Sequence, residues 1–221
     1  MQIRFEDRAE AGRFLAAKLM HYANRPDVMV LALPRGGVPV AFEVAHALNA
    51  PLDVFIVRKL GVPGYKELAM GAVAMGDVRV LNQQLVNELR LSRPQVEAVV
   101  ASEKAELERR ERLYRGDRPL PDVRGKTVIL VDDGLATGAS MWAAVIALKK
   151  LEPARIVVAV PTASRETCAE FEHEVDEVVC GITPEPFFAV GLWYENFGQT
   201  TDEEVRSLLE RSRQIWEAER G

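Results

Sequence analysis

One stretch constrains this chain more than any other: Val128-Ile129-Leu130-Val131, then Asp132-Asp133, then Gly134-Leu135-Ala136-Thr137-Gly138-Ala139-Ser140. An unbroken apolar run of strand length is the pattern of a strand buried on both faces, as in a parallel sheet covered by helices. The small-residue loop after it leads into a helical segment, residues 139–151. In such sheets the strand-to-helix junction lies at the carboxyl edge, where ligands bind. The stretch therefore points both to a fold class and to a place for a site.

The rest of the chain fits that frame. Asp7 and Glu10 form a capping box that opens a helix to about Asn24, with Phe14, Leu15 and Leu19 on its apolar face. Residues 28–33 are a second apolar run, broken by Pro34-Arg35-Gly36-Gly37 and followed by a helix over 38–48. A buried strand over 52–57 is stopped by Arg58-Lys59. Strands at 127–131, 156–160 and 175–180 alternate with helices at 139–151 and 165–174. The expectation is an α/β fold, a doubly wound, mostly parallel sheet with a hood or lid subdomain, in a single domain over residues 1–221.

Residues 61–118 read as an insertion. Strands at 68–74 and 78–81 flank a Gly76-Asp77 hairpin turn. A Ser92/Gln95 capping box opens a long charged helix to about Arg115, expected to be largely solvated or mobile because few large apolar residues follow Val100. Arg109, Arg110, Arg112 and Arg115 read as partners of Glu106, Glu108 and Glu111 in surface i,i+4 pairs. Residues 182–200 are an irregular hood region, after which Thr201 and Glu204 cap a final helix.

A net charge of -5 argues against a general nucleic-acid binder. Charged and polar residues interrupt every apolar run, so no membrane span is expected. Residues 1–10 mix acids and bases without an apolar signal core, which gives a cytoplasmic expectation. Cys168 and Cys180 have no motif around them and are expected to be free thiols rather than a disulfide or metal pair. His21, His46 and His173 are scattered along helices as surface or packing residues.

The loop carries the chemistry. Gly134 and Gly138 allow a tight backbone whose N–H groups converge on an anion, and the helix near Ala139 adds the positive end of its dipole. Thr137 and Ser140 offer hydroxyl donors to the same oxygens. Two carboxylates beside an anion repel it, unless they face neutral hydroxyls and lie close to a divalent cation. A ribose carrying a 5′-phosphate meets both requirements.

This stretch closely resembles the ribose-phosphate-binding signature of the type I phosphoribosyltransferases, and the order of elements extends the resemblance over most of the chain. Residues 33–38 (Leu-Pro-Arg-Gly-Gly-Val) and 190–197 (Val-Gly-Leu-Trp-Tyr-Glu-Asn-Phe) are similar to a bacterial branch of that family without an assigned acceptor. The resemblance implies a transferase that moves phosphoribose from 5-phosphoribosyl 1-pyrophosphate (PRPP) to a nitrogenous base. Mg²⁺ would be held mainly through PRPP, close to Asp132. Asp132 and Asp133 would hold the ribose hydroxyls, and Ala136 to Ser140, with Gly134, the 5′-phosphate. Where hypoxanthine–guanine enzymes carry an acid, this chain has Ala136, which weakens the match to those acceptors. A homodimer follows from family precedent alone.

The remaining site residues come from the same comparison. Gly36 and Gly37 would bring backbone N–H groups to the pyrophosphate, with Arg35 as a charged fork and a non-proline cis peptide at Pro34–Arg35. Arg58 and Lys59 would complete the cationic wall, Lys59 first. A lid would form from residues 60–75, whose glycines supply hinges, or from the long charged helix. Phe187, Trp193 and Tyr194 would line the acceptor pocket, the alternative being that the hood aromatics pack as a subdomain core. The alternative is a regulatory protein that senses PRPP without transferring it. A different phosphate-binding enzyme ranks third, because no Walker lysine motif is present.

Overall fold

The computed structural model describes residues 4–219. A central sheet is built from β1 (Val28–Ala32), β2 (Leu52–Val54), β6 (Thr127–Val131), β7 (Arg155–Thr162) and β8 (Glu177–Ile182). Its order is β2-β1-β6-β7-β8, and every pairing is parallel. From β1 the chain goes outward to β2, whereas from β6 it goes the other way to β7. The order therefore reverses between β1 and β6, which opens a crevice at their carboxyl ends.

Strand periodicity explains the two-sided core. Val30, Ala32, Ile129, Val131 and Val157 face one side, packed against α1 (Arg8–Leu19), α2 (Gly37–Leu48) and α7 (Asp202–Ala218). Leu31, Val128, Leu130, Val158 and Val160 face the other, packed on α5 (Ala139–Lys149) and Phe171 of α6 (Arg165–Phe171). Among the described residues no helix is long and apolar enough to cross a membrane. Residues 1–3, part of the segment behind the cytoplasmic expectation, lie outside the described range.

The insertion is more ordered than its sequence implies. β3 (Val57–Val62), β4 (Tyr65–Ala74) and β5 (Val78–Leu81) form a separate antiparallel sheet, followed by α3 (Gln83–Glu88) and α4 (Arg93–Arg115). The Ser92–Gln95 capping box is present. Much of α4 is exposed, as its charge implies, but Val96, Val100, Leu107 and Tyr114 add a buried seam that the sequence does not announce. Arg115 is not a surface residue. Its side chain is 1% exposed and donates to both Asp53 carboxylate oxygens, with its two contacts to Oδ2 at 3.2 and 3.0 Å.

Two further expectations are corrected. Arg58 and Lys59 do not close β2; the chain leaves the parallel sheet at Ile56, and both residues lie inside β3, opposite Val73 and Ala72. Cys168 and Cys180 are joined in a disulfide, because α6 folds back on β8 and brings their Cα atoms to 6.7 Å.

Candidate functional site

The site forms where β1 and β6 end side by side, with Ala32 opposite Val131. Leu33 N donates to Val131 O at 2.9 Å, which lays residues 34–37 against the acid pair. The Pro34–Arg35 peptide is cis. A Cβ on Gly36 would overlap the Asp133 carboxylate, and one on Gly37 would lie 2.7 Å from Val131 O and 2.9 Å from Asp132 Cα. Neither glycine has a positive φ. Close packing against Asp132 and Asp133 is what requires them here.

Asp132 Oδ1 accepts from Asp133 N at 2.8 Å. Burial, then the neighbouring Asp133 charge, pushes the Asp132 carboxyl well above the usual carboxylate range. Burial raises Asp133 too, while Arg8 pulls it back down. Arg8, at the first position of α1, donates from Nε to Asp133 Oδ2 at 2.9 Å and from Nη1 to Gly198 O at 2.7 Å. Its guanidinium lies 4.0 Å from the Phe197 ring centroid. Tyr194 Oη donates to Asp133 O at 2.6 Å. Sequence reasoning missed Arg8, since an arginine in the first turn of a helix carries no motif.

After the acids the loop is anchored from below and open above. Leu135 bridges to Ala163, with Leu135 N to Thr162 O at 3.0 Å and Ser164 N to Leu135 O at 3.1 Å. Thr167 Oγ1 donates to Ala136 O at 2.7 Å. Gly138, at φ +68°, is the N-cap of α5; a Cβ there would lie 2.8 Å from the Phe171 ring and 2.9 Å from Thr167. A glycine cap supplies no side-chain acceptor, so the first-turn N–H groups of α5 are left for solvent or a ligand. Gly134 is buried, whereas Ala136, Thr137, Ala139 and Ser140 are exposed around that opening.

The cationic residues are dispersed. Arg35 Nη1 lies 3.6 Å from Asp202 Oδ1 at the start of α7. Asp202 also accepts from Tyr114 Oη at 2.5 Å. Burial, then that bond, pushes the Tyr114 hydroxyl up to about 12. Arg58 turns to α4, where its Nε donates to Glu103 at 2.8 Å, so it is spent within the fold. Lys59 projects from the opposite face of β3 and lies 3.4 Å from the exposed Glu67 carboxylate.

The hood aromatics divide. Tyr194 is 1% exposed, packed against Phe5 and Phe197, and has no free face for a base; its acceptor-pocket role is withdrawn. Trp193 and Phe187 stand with ring centroids 6.3 Å apart and nearly parallel, and the buried Trp193 Nε1 has no hydrogen-bond partner. A cavity of about 790 Å³ between α4 and the antiparallel sheet lies away from the acid pair, lined by Val73, Asp77, Arg79 and Lys104 among others. No group of three His, Cys, Asp or Glu able to hold a metal occurs among the described residues.

Known proteins similar to this chain point to one family. The family described as phosphoribosyl transferase domain matches residues 4–195. Two curated Mycobacterium tuberculosis proteins, Rv0571c of strain H37Rv and MT0597 of strain CDC 1551, are each 47% identical over 208 residues. Both carry the provisional name of phosphoribosyl transferase. The match covers 94% of this chain and 47% of each relative, so the chain spans about half the length of the curated relatives it matches. The crystal structure of TT1426 from Thermus thermophilus superposes with a TM-score of 0.85 at 43% identity, covering 95% of this chain and 99% of that one.

Proposed function

The chain belongs to the phosphoribosyltransferase family, and on that premise we propose that it transfers phosphoribose from PRPP to a nitrogen of a base, releasing pyrophosphate. The observation that carries this reading is the junction after β6, where a half-buried acid pair is followed, across the short loop 134–138, by a helix N-terminus without a side-chain cap. That order matches a sugar diol followed by its 5′-phosphate.

In this reading Gly134 and residues 136–140 take the 5′-phosphate, with donors from the N–H groups of the α5 first turn and the hydroxyls of Thr137 and Ser140. Asp132 and Asp133 accept from the ribose hydroxyls and favour positive charge on the ring. The C1–oxygen bond to pyrophosphate breaks with its electron pair leaving on the oxygen, and the acceptor nitrogen's lone pair forms the new bond to C1. Arg35, the Gly36 and Gly37 backbone, and Lys59 stabilise the leaving charge. Arg8 holds Asp133 in place until the sugar arrives.

The donor set suits Mg²⁺, which keeps water and phosphate ligands and needs only one or two carboxylates. Among the described residues, Asp132 is the acid of the pair without an ion-pair partner, because Arg8 engages Asp133 Oδ2 and only the Asp133 N–H reaches Asp132 Oδ1. The ion would neutralise the departing pyrophosphate. A lid drawn from the β3–β4 hairpin would exclude water. Phe187, backed by Trp193, is the proposed face for the base. A cytoplasmic role in nucleotide metabolism and a homodimer belong to the same reading.

The test is incubation with PRPP, Mg²⁺ and a panel of purines, pyrimidines and other nitrogenous bases, following pyrophosphate release. Release with one base, lost in Asp133→Ala and Arg35→Ala variants that keep their circular dichroism, supports the transferase. Tight PRPP binding without release across the panel assigns the site to sensing instead.

A further inference from the structure

The C-terminal end of α4 and the outer side of α7 enclose a cleft of about 650 Å³, lined by Arg112, Arg115, Arg118, Arg206 and Arg213. Its lining acids are Glu203 and Glu210. Two of the arginines are already committed: Arg115 to Asp53 and Glu111, and Arg213 to Glu210 and Glu217. Arg118 points Nε and Nη2 at the carbonyls of Arg115 and Tyr114, at 3.0 and 3.1 Å, and among the described residues pairs with no carboxylate at ion-pair distance. Arg112 and Arg206 are exposed and, among the described residues, make no ion pair. Glu203, the lining acid outside those pairs, offsets one of the three remaining charges.

On a chain of net charge -5, several unpaired guanidinium groups in one concavity repel each other unless an anion lies among them. Planar forks match phosphate oxygens two at a time, so several forks in one cleft suit an anion with several phosphates. The cleft is lined neither by the acid pair nor by residues 134–140. It does share Tyr114, whose hydroxyl holds Asp202, the residue beside Arg35. We infer that this cleft is a second anion site, for a polyphosphate, joined to the Arg35 loop through Tyr114 and Asp202. The inference does not depend on the proposed transfer reaction.

Inorganic tripolyphosphate, which has no ribose, is the probe, titrated calorimetrically into the full chain without Mg²⁺. Arg112→Ala/Arg206→Ala removes the two exposed arginines of the cleft that make no ion pair among the described residues; Arg206→Lys keeps one as a point charge and guards against a folding defect. The expected result is saturable uptake that survives Arg35→Ala and weakens about a hundredfold in the double variant, tenfold per arginine, with Arg206→Lys in between. Unchanged affinity in the double variant, loss in Arg35→Ala alone, or no uptake at about 1 mM probe would each overturn the site.

Discussion

Arg8 Nε and Asp133 Oδ2 meet at 2.9 Å, with side chains only 12% and 15% exposed, so a residue from the first turn of α1 forms an ion pair with an acid 125 positions away. Arg8 lowers the pKa that burial raises in Asp133. Arg8→Ala removes that pull, and Asp133 then ionises at higher pH. The acid limb of donor binding should shift to higher pH, by about one unit for each 1.4 kcal/mol of lost interaction. Binding isotherms across pH check it; an unmoved limb would separate Arg8 from the site.

Asp132→Asn should stabilise the ligand-free protein while weakening donor binding. The folded pKa of Asp132 is raised, so the folded state holds its proton more tightly than the unfolded chain does. Stability is then lost as pH rises from the ordinary carboxylate value, about 4, through the folded one. The asparagine keeps the acceptor for Asp133 N and removes this loss. Its Tm advantage should be absent at low pH and reach a few degrees above the folded pKa, at about 2–4 °C per kcal/mol for a chain of this size.

Gly36→Ala tests why two glycines follow Arg35. The new Cβ would overlap the Asp133 carboxylate, so the variant should lose about 1–3 kcal/mol in urea unfolding and bind donor weakly. Gly198→Ala places its Cβ in open space and is the control, expected within about 0.5 kcal/mol of the parent.

Thr167→Val removes the hydroxyl that donates to Ala136 O and leaves the exterior of the loop untouched. Tm should fall slightly, while donor affinity drops about tenfold as the loop loses its anchor. Equal affinity would mean that Leu135 and its strand-like bonds fix the loop alone.

The sheet and the turn into α5 were legible because a buried parallel strand needs an unbroken apolar run, and a small-residue stretch with glycines marks the tight junction into a helix. The Pro34–Arg35 cis bond followed from the family resemblance rather than from any local propensity. The insertion was less legible. Arg58-Lys59 reads as the stop of a strand until the partner of Val57 to Val62, β4, is known, and α4 hides a sparse seam of Val96, Val100, Leu107 and Tyr114 among charges. Arg115 is indistinguishable in sequence from its exposed neighbours, since its burial depends on Asp53, 62 positions away. Pairing of Cys168 with Cys180 depends on how α6 returns to β8, and no spacing rule encodes that.

In the proposed reading one loop, entered through a half-buried acid pair, takes a ribose by its hydroxyls and its 5′-phosphate by backbone N–H groups. Calorimetric titration of PRPP with Mg²⁺ into the wild-type chain and into Asp132→Ala/Asp133→Ala tests it directly. The wild type should show saturable one-to-one uptake, and the double variant should lose it. No uptake by the wild type, or equal uptake by both proteins, would contradict it.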